Sequence, residues 1–172
     1  MSKTAISRLG IFFIALSVTA TWTARADAPS ACKFLTTAAV SAALGKPVSG
    51  GTTSVIDHLG ATASSCMYTA GTIMVLLNVD ERGTAGAAME EYHTQLDDSH
   101  MRDKDKKGAS DEQKTVLESG IGEGAFSDDL TNGSARDITA VHGSRVFKIG
   151  IIGAGSVPHE RLRNLMQTAI SH

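Results

Sequence analysis

Several kinds of chemistry are missing from this sequence. It has two cysteines, Cys32 and Cys66, and they lack the C-x-x-C spacing of a redox pair. Six histidines are scattered from His58 to His172 with no H-x-x-x-H or H-x-H pairing, so no local metal motif is present. There is no G-x-S-x-G elbow to present a nucleophilic serine. Basic residues do not exceed acidic ones, and the formal charge of −2 argues against a nucleic-acid surface. The longest apolar run, Ile11 to Ala20, falls short of the ~20 residues needed to cross a bilayer.

That run has a different meaning. Lys3 and Arg8 precede it, and Ala24-Arg25-Ala26-Asp27-Ala28 follows with two A-x-A cleavage sites. This is the three-part layout of a secretory signal peptide. Residues 1–28 are assigned to the leader and 29–172 to one domain, a length suited to a single core. Losing Lys3, Arg8, Arg25 and Asp27 makes the exported chain two charges more acidic. Pro29 stands where a lipidated Cys32 would need an aliphatic residue, so no lipid anchor and no stable membrane insertion is expected after cleavage. The predicted location is periplasmic or secreted, where two cysteines are most simply one disulfide. A reactive or metal-binding pair is the alternative.

Along the exported chain, a threonine of the Thr36-Thr37 pair is placed to cap a helix that Gly45 and Pro47 end. Strands are predicted over Val48–His58, Ala61–Thr69 and Thr72–Val79. In the last of these, Ile73, Val75, Leu77 and Val79 share one face, with Met74 and Leu76 on the other. Thr84 begins a second helix reaching about Leu96, whose stripe is Ala85, Ala88, Met89, Tyr92 and Leu96. The polar stretch Asp97–Lys114 is predicted to be a mobile, solvated loop.

A glycine-punctuated entry from Glu118 to Phe126, an Asn132-Gly133 turn and strands over Arg136–Val141 and Arg145–Ile152 follow. Ser156 then caps a last helix with Leu162, Leu165, Met166, Ala169 and Ile170 on one stripe. The two halves share the order strand, turn, strand, cap, helix. The predicted fold is α+β: an antiparallel sheet of about five to six strands, with helices mainly on one face and two pseudo-repeated strand–strand–helix units.

Partial motifs fail on their details. Gly150, Gly153 and Gly155 mimic a dinucleotide-binding turn, but Pro158 occupies the third glycine position. Asp103, Asp105, Gly108 and Asp111 imitate a calcium loop, yet Lys107 and Lys114 stand where oxygen ligands belong. Glu90–Glu91 and Asp128–Asp129 read as carboxylates on solvated surfaces. No catalytic, cofactor-binding or metal-ligating residue is assigned, and no cofactor is expected.

Cys32-Lys33-Phe34-Leu35-Thr36, Leu44-Gly45-Lys46-Pro47-Val48, Cys66-Met67-Tyr68 and Gly120-Ile121-Gly122-Glu123-Gly124-Ala125-Phe126 occur in that order. In this the chain resembles the DUF3558-like family of small exported bacterial proteins of unknown function. The resemblance implies a two-layer α+β module similar to PsbP/Mog1-like domains, with the cysteines bridged. The expected function is a non-enzymatic envelope module binding a small ligand or a partner protein. The alternative is an enzyme or metal protein whose site assembles only in three dimensions, for instance from His93, Asp97 and His100. A third reading is a structural or inhibitory interaction protein.

Overall fold

The computed structural model describes residues 30–58, 61–105, 113–130, 135–153 and 157–172; the leader assigned to 1–28 lies outside them. A short 3-10 turn at Ala31–Lys33 leads into α1 (Thr37–Leu44). Strands β1 (Ser49–His58), β2 (Ala61–Ala70) and β3 (Ile73–Glu81) follow, then α2 (Ala85–Asp105). The second half holds β4 (Gln113–Glu118), β5 (Gly124–Leu130), β6 (Ala135–His142), β7 (Arg145–Ile152) and α3 (His159–Ile170). The seven strands among the described residues join one antiparallel sheet in the order β1-β2-β3-β7-β6-β5-β4.

Local chemistry sets the helix ends. The Thr36 hydroxyl accepts the Ala39 N–H at 3.1 Å, and the Thr84 hydroxyl accepts that of Ala87 at the same distance. Gly45 ends α1 in the left-handed conformation at φ 67°. Pro158, with its fixed φ, immediately precedes α3. The Ser156 and Asn132-Gly133 assignments fall outside the described residues.

The main core lies on one face of the sheet. There Ile73, Val75, Leu77 and Val79 of β3 meet Phe147, Ile149 and Ile151 of β7 under Val40, Leu44, Leu162, Leu165 and Met166 of α1 and α3. The helical stripe of α3 and the alternation of β3 are as the sequence predicts.

Cys32 and Cys66 form a disulfide that ties the N-terminal turn to β2. Tyr68 adds a second tie by donating its hydroxyl hydrogen to the Leu35 carbonyl. Gly51 makes room for both: a Cβ there would stand 2.3 Å from the Cys66 sulfur and 3.2 Å from the Tyr68 ring.

Three expectations are corrected. The sheet has seven strands, because Gln113–Glu118 is edge strand β4 rather than the end of a loop. Helix α2 continues to Asp105, so 97–105 is helical; 106–112 lie outside the described residues. The helices also divide between faces. Ala88 and Tyr92 of α2 pack on Phe126, Val141 and Val146, on the face opposite α1 and α3. The cause is in β6 and β7, where consecutive residues are apolar (Ala140 and Val141, Val146 and Phe147), so both faces of the sheet's centre need a cover. The repeated order of elements is present, with its two long helices on opposite sides.

Polar groups hold α2 in place. Asp128 is only 5% exposed, and its Oδ1 accepts the hydroxyls of Ser99 at 2.5 Å and Thr115 at 2.8 Å. Arg102 stands 3.6 Å from its other oxygen. Asp103 accepts the backbone N–H of Thr115 at 2.8 Å, which caps part of the β4 edge.

Candidate functional site

Helix α2 leans over β4 to β7, and among the described residues no helix packs closely on the same face of β1 to β3. The result is a cleft of about 220 Å³ between α2 and the open sheet, lined by Ser54, Ala63, Ser65, Asn78, Asp80, Gln95, Val146 and Lys148. Strand register builds its floor. Ser65, Asn78 and Lys148 lie side by side across β2, β3 and β7, and Ala63, Asp80 and Val146 form the next row. A third row, Met67, Leu76 and Gly150, continues the same face. Small side chains on β2 keep the cleft open. Polar ones on β3 and β7 equip it.

The charges are arranged unevenly. Arg82 stands 3.0 Å from Glu91 and 3.6 Å from Asp80, so one guanidinium serves two carboxylates. Burial pushes the Asp80 carboxyl above its usual range; the Glu91 charge adds to this and Arg82 opposes it. Lys148 pairs with Asp137 at 3.1 Å, and burial likewise raises the Asp137 carboxyl. Gln95 donates its amide to Glu91 at 2.8 Å. Ser54 and Ser65 share a hydrogen bond of 2.5 Å. The cleft thus offers hydroxyls, amides, an incompletely matched carboxylate and an ammonium group.

A second charged group sits on the opposite face. Glu118 of β4, 7% exposed at its side chain, accepts Ser127 at 2.8 Å, pairs with His159 at 2.7 Å and binds Arg163. The depression beside it is wider, about 460 Å³. Burial alone would raise the Glu118 carboxyl; bonds from Ser127 and His159 and the charge of Arg163 outweigh it and hold the group below its usual range. The hydroxyl of the buried Ser127 donates to Glu118 rather than to His159. The group therefore fastens α3 to β4 and β5.

The residues singled out from sequence are not brought together. His93, Asp97 and His100 are exposed on α2, and no cluster of metal-ligating side chains occurs among the described residues. Gly150 and Gly153 serve an antiparallel strand and its exit turn, without the parallel crossover a dinucleotide site requires. Asp103 and Asp105 are helical. Asp128 is buried under α2, against the expectation of a solvated surface. Sequence reasoning passed over Asn78 and Asp80, whose signal was a polar end on an otherwise apolar central strand.

No family model matches the chain, and no curated protein matches it. Among solved structures it is similar to the extracellular domain of PknH from Mycobacterium tuberculosis. That likeness has a TM-score of 0.55 at 12% identity, over 81% of this chain and 92% of the other. At such identity the likeness is one of fold. No helix among the described residues is long and apolar enough to cross a membrane.

Proposed function

We propose that this protein is an exported bacterial binding module, without enzymatic activity, that takes a small ligand in the cleft between α2 and β1 to β3. The observation that carries the reading is the uncovered part of the sheet's second face, where polar side chains from four strands (β1, β2, β3 and β7) and one helix converge. Convergent polar groups in a concave site are what a ligand pocket requires. The signal-peptide layout, the disulfide and the likeness to an extracellular domain support export to the periplasm or medium. Kinship with the DUF3558-like family belongs to the same proposal and rests on the ordered motifs.

A partner protein is the second reading. Met67 and Ile152, 37% and 57% exposed, lie on the same open face beyond the polar rows, and flexible methionine suits a protein contact. Thermal-shift screening of the oxidised protein against small polar metabolites separates the two. Ligand binding is expected to raise the melting temperature, and Ser65→Phe, which fills the cleft, is expected to abolish the rise. If no compound shifts the parent, or Ser65→Phe leaves the shifts intact, the cleft is not the site.

A further inference from the structure

The cleft's charge arrangement specifies more than its shape. Two charged side chains line the cleft, Asp80 and Lys148, and each has an ion-pair partner outside the lining: Arg82, which Asp80 shares with Glu91, and Asp137. Lys148 is committed to Asp137 at 3.1 Å and Arg82 lies closer to Glu91 than to Asp80. Asp80 is left as the under-compensated charge, three-quarters buried, directly on the floor. A partly buried carboxylate with one long ion pair gains from a further cation. Beside the apolar Ala63 and Val146, the lining holds groups that pair with hydroxyls: Ser54, Ser65, Asn78 and Gln95. At about 220 Å³ the space lies below the ~300–1,000 Å³ of sites for drug-sized molecules.

Resting on the cleft reading above, we propose that the ligand is a small hydroxylated primary amine the size of an amino sugar. Its ammonium group sits against Asp80, and its hydroxyls reach Ser54, Ser65, Asn78 and Gln95. Glu91 holds Arg82 back and so keeps Asp80 available. Lys148, paired with Asp137, stands one row over from Asp80 on the neighbouring strand, where its ammonium disfavours a second cationic group on the ligand. The predicted selectivity is for one positive charge over none, and for none over a negative charge.

The test is isothermal titration of the oxidised protein near neutral pH with D-glucosamine, D-glucose and D-glucuronate, one ring with three charges. Glucosamine is expected to bind about tenfold tighter than glucose, the scale of one hydrogen bond to a charged group, and glucuronate more weakly than both. Asp80→Asn is expected to bring glucosamine and glucose to equal affinity. Glu91→Gln, which frees Arg82 to turn fully to Asp80, is expected to lower the preference in part. Equal binding of all three sugars, or a preference for glucuronate, overturns the charge selection while leaving the cleft as a site. Preference retained in Asp80→Asn overturns the role of Asp80. Binding of none overturns the ligand class; whether the cleft binds anything is then decided by the Ser65→Phe screen.

Discussion

Gly51 lies against Cys66 so closely that a Cβ on the glycine would come within 2.3 Å of the cysteine's sulfur, and 3.0 Å from that of Cys32. A disulfide cannot swing aside as a flexible side chain does, so Gly51→Ala must displace β1. The expected cost is about 1–3 kcal/mol, the range for overpacking, seen as a melting temperature roughly 3–10 °C lower. Gly50, whose Cβ would meet open space, is the control: Gly50→Ala is expected to leave the midpoint within about 2 °C.

Removing the bridge is a separate prediction. Cys32 and Cys66 are 34 residues apart, and the chain-entropy account assigns such a cross-link about 3–4 kcal/mol. Paired Cys→Ser replacement is expected to lower the thermal midpoint by roughly 10 °C. Gly51→Ala in that background is expected to cost less than in the parent, since the obstructing sulfurs are gone. An additive double variant would show that the sulfurs are not the obstacle.

Glu118 predicts the acid limb of stability. Its folded carboxyl titrates below the ordinary 4.5, so its stabilisation is present above that value and is lost as pH falls through the folded one. Glu118→Gln leaves Arg163 and His159 without their shared acceptor and is expected to cost about 2–4 kcal/mol at pH 7. Denaturant melts across pH should show the parent and variant converging below about pH 4.5; a constant gap would contradict the assignment.

Asp80 has the opposite sign. Its folded carboxyl titrates above the ordinary 3.8, chiefly through burial, so the ionised form costs stability as pH rises through the folded value. Asp80→Asn is expected to melt higher than the parent at pH 7 and to match it below about pH 3.8. A stabilising substitution that weakens binding is the pattern of a side chain kept for function.

Asp103→Ala tests the β4 edge. Losing the acceptor for the Thr115 N–H is expected to cost about 1 kcal/mol. Amide hydrogen exchange at Thr115 should accelerate, with β3 amides unchanged. Unaltered protection at Thr115 would mean that another group covers this edge.

The fold was more legible in the sequence than the site, for physical reasons. Thr36, Gly45 and Thr84 act on backbone groups within one turn of themselves, so their meaning is local. The stripe of α3 and the alternation of β3 are likewise periodic signals. Strand β4 was missed because Lys114 and Glu118 flank Val116 at an edge where polar and apolar residues mix. The tail of α2 reads as loop because Ser99, Arg102 and Asp103 hold it through polar bonds to Asp128 and Thr115, outside any apolar stripe. The cleft was illegible for a stronger reason. It exists because α2 crosses to the far face and leans toward β7, and no single segment encodes that choice.

The sheet order also bears on how the chain reaches this state. Five of the six strand pairings join neighbours in sequence, so each half can zip up as a meander with little loop-closure entropy. The exception is β3 with β7, where Met74 must find Ile152 and Glu81 must find Arg145. That central seam carries the longest-range strand contacts among the described residues and is the step that topology makes slow. Topology therefore points to the meeting of two half-sheets as the slow step, with the disulfide wholly within the first half.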